Sequence, residues 1–211
     1  MTGLVLATRN EHKVAELRHI LAEVVEDLGL QLLSVADFPD APDVAETEVT
    51  FEGNARLKAT ALVEATGMAV VADDSGITVD VLGGSPGVFS ARWSGSLGGS
   101  NLTRPERDQV NVRLLLDQLA DVPDAYRAAS FTCAAVVALP DGRSAATYGR
   151  LLGRLARDPR GTNGFGYDPI LIPYGDTRTL AEHTKEEKNA ISHRGRAFRA
   201  LAPHLGRLLG P

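Results

Sequence analysis

The first thirty residues constrain the fold more than any other stretch. Leu4 to Ala7 is a short apolar run that stops at Thr8-Arg9-Asn10. Behind it, Val14, Leu17, Leu21, Val24 and Leu28 recur at spacings of 3, 4, 3 and 4. The first pattern suits a buried strand, and the second suits the apolar face of a helix. Glu16, His19, Glu23 and Glu26 are the polar residues between, and Gly29 is the stop signal. A strand that feeds an amphipathic helix must bury the helix's apolar face, and a sheet beside it is the natural partner.

The alternation continues down the chain. Leu32 to Val35 is a short strand candidate, and residues 37–48 form an acidic loop with Pro39 and Pro42. A helix is expected after Thr50 through Ala65, closed by Gly67. Ala69 to Ala72 reads as a buried strand, expected to stop at Asp73-Asp74-Ser75-Gly76. Gly83 to Gly87 and Ser94 to Ser100 are rich in turn residues. Thr103 with Glu106 three residues on is a capping box, with Pro105 in the first turn, so a helix should run to about Leu119. Phe131 to Leu139, Pro140-Asp141-Gly142 and Ser144 to Gly149 read as a β-hairpin. Arg160 to Asp168 is a glycine-rich loop, Ile170 to Ile172 a short strand, and the tail from about Ser192 helical. The expected class is α/β (mixed α+β) with a mixed sheet. No repeat, low-complexity tract or linker divides residues 1–211, so one domain is expected.

Composition excludes several alternatives. With 44% hydrophobic and 23% charged residues among 211, the chain does not fit disorder, collagen or a coiled coil. No apolar run approaches the roughly 18 residues that span a bilayer, and no signal peptide is read at the start. The single Cys133 excludes an internal disulfide and a multi-thiolate zinc site, and fits a reducing, cytoplasmic setting. Net charge is −5, unevenly spread. Residues 1–105 carry 7 Lys/Arg against 15 Asp/Glu (−8), and residues 106–211 carry 15 against 12 (+3). Neither half is a polybasic tail, so neither nucleic acid nor membrane is an expected partner. Acidic and basic segments in one chain do suit a metal-bound polyanion.

Five segments could carry chemistry. Thr8-Arg9-Asn10-Glu11-His12-Lys13 joins strand to helix, and it reads either as a helix cap or as an anion site at a helix N-terminus. It lacks the glycines of the classical phosphate loop. Asp73-Asp74-Ser75-Gly76 reads either as an exposed turn or as a cation site, because adjacent carboxylates raise each other's pKa unless a cation intervenes. Lys58 follows Phe51 and Ala55 and precedes Leu62 on the inward stripe of its helix. It either snorkels to water or meets a phosphate. Gly161 to Pro169 sets three glycines around Phe165 and Tyr167, as a tight hairpin or as a stacking platform for a flat base. Lys188 with Ser192-His193-Arg194-Gly195 is either a surface cluster or a grip on a base edge and phosphates.

Taken together and in order, these segments resemble the non-canonical purine nucleoside triphosphate pyrophosphatases, the dITP/XTP diphosphatases. Thr50-Phe51-Glu52-Gly53-Asn54-Ala55, Leu82-Gly83-Gly84-Ser85-Pro86-Gly87-Val88, Ser90-Ala91-Arg92 and Ser192 to Ala197 extend the resemblance over nearly the whole chain. It implies a homodimer of two-lobed protomers on a long curved mixed sheet, with the active-site cleft between the lobes. It also implies Mg²⁺-dependent hydrolysis of ITP, dITP, XTP and dXTP to monophosphate and pyrophosphate. By similarity, Asp74 is the proton acceptor and a metal ligand, with Glu46 a second metal carboxylate. Thr8, Arg9, Asn10, Glu11, His12, Lys13 and Lys58 face the phosphates. Ser75, Phe165, Gly166, Tyr167, Asp168, Lys188, His193 and Arg194 also touch substrate. Gly53, Leu151-Leu152 and Asn163 depart from the family pattern, where Glu, Trp-Pro and Gly are common. Two alternatives stand beside this reading: a septum-inhibitor-like pyrophosphatase of pyrimidine triphosphates, and a non-catalytic nucleotide-binding module.

Overall fold

The structure is a computed structural model that describes residues 3–9, 11–99 and 101–210. Among these, a six-stranded mixed sheet runs in the order β2-β1-β3-β4-β5-β6. The strands are β1 (Gly3–Leu6), β2 (Gln31–Ser34), β3 (Ala69–Val79), β4 (Ala128–Ala138), β5 (Ser144–Leu155) and β6 (Leu171–Pro173). β1 pairs in parallel with β2 and β3, whereas β5 pairs antiparallel with β6. The helices are α1 (Glu11–Asp27), α2 (Phe51–Thr66), α3 (Arg104–Gln118), α4 (Lys185–Ile191) and α5 (His193–Leu209). No helix among the described residues is long and apolar enough to cross a membrane.

By packing, the chain divides into two compact units, with boundaries inside β3 at Ser75/Gly76, β4 at Thr132/Cys133 and β5 at Gly149/Arg150. The first holds residues 1–75, 133–149 and 193–211, and two apolar clusters form its core. Leu4 and Leu6 of β1 join Val71, Ala135 and Val137 under Leu17 and Leu21 of α1 and Phe198 and Leu201 of α5. Val5 and Ala7 join Val70, Ala72 and Val136 under Ala55, Ala59 and Leu62 of α2. Neighbouring strand residues thus serve opposite faces, as the two-residue period of a pleated strand demands. One face packs α1 and α5, and the other packs α2.

The second unit holds residues 76–132 and 150–192. Its core gathers Ile77 and Val79 of β3, Val112, Leu115 and Leu119 from α3 and its C-cap, Phe131 of β4, and Leu151 and Leu155 of β5. Arg127 is buried there at 2% exposure and donates to the carbonyls of Leu119, Leu155 and Ala156.

Several expectations hold. Thr50 caps α2 by accepting from Gly53 N, and Gly67 ends the helix in the left-handed region. The Thr103–Glu106 capping box starts α3. Two expectations need correction. β3 does not stop at Asp73 but runs on to Val79, because cations from neighbouring elements satisfy its carboxylates. The hairpin strands are also longer than read, β4 beginning at Ala128 and β5 ending at Leu155. The helix α4, opened by a Thr184–Glu187 capping box, was not anticipated.

Candidate active site

Alternation along β3 sends its two aspartates to opposite faces. Asp73 follows Val71 onto the α1/α5 face, and Asp74 follows Ala72 onto the α2 face. Both are buried, at 2% and 6% exposure.

Asp73 Oδ2 meets Lys13 Nζ of α1 at 3.0 Å and Arg194 Nε of α5 at 3.2 Å. Arg194 spreads its other nitrogens to Glu16 Oε2 of α1 at 2.7 Å and Ser75 Oγ at 3.0 Å. Glu16, Asp73, Lys13 and Arg194 therefore make a neutral set of two carboxylates and two cations. Burial alone would raise the Asp73 carboxyl, but Lys13, Arg194 and Lys58 outweigh it and hold the group far below the usual carboxylate range. Burial also lowers the Lys13 ammonium, with Asp73 opposing. Arg194 is held above its ordinary range, against burial, by Asp73 and Glu16.

The opposite face is arranged around one ammonium. Lys58 Nζ of α2 lies 3.3 Å from Asp74 Oδ1 and 3.1 Å from Glu46 Oε1. Asp74 Oδ2 accepts from the Asn54 side chain at 3.1 Å. Burial pushes the Asp74 carboxyl up and Glu46 adds to this, while Lys58 and Asn54 oppose. Burial opposes protonation of Lys58, but Asp74, Asp73 and Glu46 together raise its ammonium. Two carboxylates thus converge on a single cationic position. At Gly53 an added Cβ would come within 2.6 Å of Glu48 Cβ, so the side chain of Glu48 occupies the space a side chain at position 53 would take.

The remaining phosphate-facing candidates divide. Thr8 is half-buried just beyond β1, its amide bonded to Leu6 O. Arg9 reaches the acidic loop, with Nε 3.0 Å from Asp43 Oδ1 and Nη2 donating to Ala41 O at 2.9 Å. Asn10 lies outside the described residues, as do the side chains of Glu11 and His12. His193 opens α5 and is buried.

In the second unit the glycine-rich loop is built around Asp168. Its Oδ2 accepts from Phe165 N at 2.8 Å and meets Lys188 Nζ at 2.5 Å. Lys188 Nζ also stands 4.7 Å from the centre of the Phe165 ring, a cation–π distance. Gly164 has φ +80, and a Cβ there would come within 2.1 Å of Asp168 Oδ2, so only glycine fits. Gly166 N donates to Asp108 Oδ2 of α3 at 2.9 Å. Tyr167 packs into the core and donates its hydroxyl to Ser90 O at 2.9 Å.

Sequence reasoning missed Glu16, Asn54 and Asp108. Glu16 stands three residues after Lys13, and Asn54 stands four before Lys58, so both share a helical face with a residue already singled out. Asp108 carried no local signal, because its partner lies 58 residues away.

The chain is similar over its whole length to curated bacterial proteins. It is 57% identical to a dITP/XTP pyrophosphatase of Streptomyces avermitilis and 58% to one of Streptomyces coelicolor, covering 100% of both chains in each case. A solved structure of a HAM1 protein from Coxiella burnetii is 38% identical, with TM-score 0.84 over 98% of this chain and 100% of that one. The dITP/XTP pyrophosphatase structure from Mycobacterium abscessus is 47% identical, with TM-score 0.76 over 97% and 100%. The family model described as Ham1 family matches residues 4–204. The chain belongs to the Ham1 family.

Proposed function

We propose that this chain is a Mg²⁺-dependent pyrophosphohydrolase of inosine- and xanthosine-type purine nucleoside triphosphates, releasing monophosphate and pyrophosphate. The observation that carries the reading is the convergence of Asp74 and Glu46 on one cationic position, at 3.3 and 3.1 Å from Lys58 Nζ. Its context supports the same reading: relatives 57% and 58% identical bear the name dITP/XTP pyrophosphatase.

The donor set fits Mg²⁺. Among the described residues no group of three or more His, Cys, Asp or Glu could hold a metal. Two carboxylates completed by substrate phosphates are the usual Mg²⁺ arrangement, since this ion keeps few protein ligands. Asp74 and Glu46 would hold it, with Lys58 yielding the position between them. When bound, the ion supplies charge neutralisation and polarisation of the phosphate oxygens.

The chain's own groups do the rest. Asp74, with its carboxyl raised by burial, accepts the proton of the attacking water. Lys13, Lys58 and Lys188 offset charge developing on the pyrophosphate leaving group. Thr8 and the N-terminal turn of α1 receive phosphate oxygens. Arg194 orders Asp73 and Ser75 from inside the first unit. Phe165 offers a ring to the base, and His193 a donor to its edge, while Asp168 and Tyr167 hold the loop in shape. No protein nucleophile is needed, because positioning and electrostatics dominate this chemistry. We assign the enzyme to the cytoplasm and to a homodimer.

The test is Asp74→Asn assayed with ITP and Mg²⁺. Loss of a positioned base costs about 10²–10⁴ in rate, so kcat should fall at least about 10²-fold while the circular dichroism spectrum is unchanged. A folded variant within about threefold of wild type overturns the assignment.

A further inference from the structure

Asn54 is fully buried on α2, at 0% exposure, and both ends of its side-chain amide are engaged. Oδ1 accepts from Glu48 N at 3.0 Å, and Nδ2 donates to Asp74 Oδ2 at 3.1 Å. A backbone N–H can only donate, so the bond to Glu48 fixes which end of the amide faces the aspartate. Asp74 is thereby gripped at one oxygen by a neutral donor and at the other by Lys58, 3.3 Å from Oδ1. Glu48 lies two residues beyond Glu46, whose Oε1 meets the same ammonium at 3.1 Å. One buried amide joins Asp74 to the loop that carries the other carboxylate.

We propose that Asn54 is a positioning residue for the hydrolytic reaction. It sets the rotamer of Asp74 and ties that carboxylate to the Glu46 loop, without touching substrate. The inference rests on the reading of Asp74 as proton acceptor and ion ligand. The replacements nearest in shape do not serve both ends. Aspartate accepts from Glu48 but offers no hydrogen to Asp74 and brings a second negative charge beside it. Alanine serves neither end, and glutamine is one methylene too long for the same pair of bonds.

The experiment compares Asn54→Asp, Asn54→Ala, Asp74→Asn and the double variant Asn54→Ala/Asp74→Asn with wild type. Three quantities are read: kcat with ITP, the Mg²⁺ concentration giving half the maximal rate, and Mg²⁺ affinity of the nucleotide-free protein by calorimetry. Losing a partner that orients a metal carboxylate costs about 10–100-fold in metal affinity or activity. Both Asn54 single variants should show that loss. In the Asp74→Asn background, Asn54→Ala should cost no more than about twofold, because its effect passes through Asp74. A folded Asn54→Asp within about twofold of wild type in kcat and in Mg²⁺ affinity overturns the proposal. So does an Asn54→Ala penalty of the same size with and without Asp74. If Asn54→Ala fails to fold, Asn54→Asp, which keeps the acceptor for Glu48, decides alone. Should Asp74→Asn turn over ITP like wild type, the functional reading fails, and calorimetry still reads whether Asn54 governs the cation position.

Discussion

Replacing Arg194 by methionine tests the buried network directly. The guanidinium is 2% exposed and lies between Asp73, at 2%, and Glu16, at 5%. In wild type the four charged members sum to zero: Lys13 and Arg194 against Glu16 and Asp73. Arg194→Met leaves one cation against two buried carboxylates, a net charge of −1. Removing one partner of a buried ion pair typically costs about 3–5 kcal/mol, because the remaining charge keeps its desolvation penalty and loses its compensation. For a chain of this length each kcal/mol lowers Tm by about 2–4 °C, so the expected fall is about 6–20 °C. Thermal unfolding followed by circular dichroism at pH 7 measures it. The double variant Glu16→Leu/Arg194→Met restores neutrality, since Asp73 keeps Lys13 at 3.0 Å. It should recover more than half of the lost Tm. A single variant that melts within about 3 °C of wild type, or a double variant less stable than the single one, refutes the charge argument.

Two further outcomes follow from the packing. Gly149→Ala should lower Tm by about 2–12 °C, from the 1–3 kcal/mol cost of overpacking. Its Cβ would sit 2.0 Å from His193 O and 2.5 Å from Ala197 N, both backbone atoms of α5. Calorimetry showing no change would contradict this. Asp108→Ala removes the acceptor of Gly166 N, a charge-assisted bond worth about 1.5–3 kcal/mol. Steady-state kinetics should show KM for ITP raised about tenfold or more with kcat within about threefold. An unchanged KM would mean that the loop's shape does not govern substrate binding.

Elements with local signals were legible in the sequence. The 3-4-3-4 spacing from Val14 to Leu28 and the stops at Gly29 and Gly67 are short-range features, and α1 and α2 lie where those features put them. The fate of Asp73-Asp74 was not legible, because whether two carboxylates end a strand depends on what faces them. Here Lys13, 60 residues away, and Arg194, 121 residues away, neutralise Asp73 inside the strand. The stripe through Phe51, Ala55 and Leu62 marked Lys58 as inward-facing, but only the folded chain reveals Glu46 and Asp74 on either side of it. Asn54 and Glu16 were hidden for a similar reason. A polar residue on a helix looks solvated until the partner that buries it is known. The glycine-rich loop showed its turn chemistry openly, yet its anchor on Asp108 is a tertiary contact with no local trace.

Two features define the reaction, the bond broken and the base read. Hypoxanthine and xanthine carry an oxygen at C6 where adenine carries an amino group, so a donor placed there stays unpaired when ATP binds. Such a buried orphan costs about 1–3 kcal/mol, and mismatched polar sites discriminate by up to 10⁴–10⁵-fold. GTP shares the 6-oxygen and must be refused at C2, where its amino group replaces the hydrogen of ITP or the oxygen of XTP. The decisive measurement is pyrophosphate and orthophosphate release from ITP, XTP, GTP, ATP and TTP in the presence of Mg²⁺. Pyrophosphate should be the primary product, with kcat/KM for ITP and XTP at least about 10²-fold above GTP, ATP and TTP. Equal turnover of GTP and ITP, or orthophosphate as the primary product, would contradict the account.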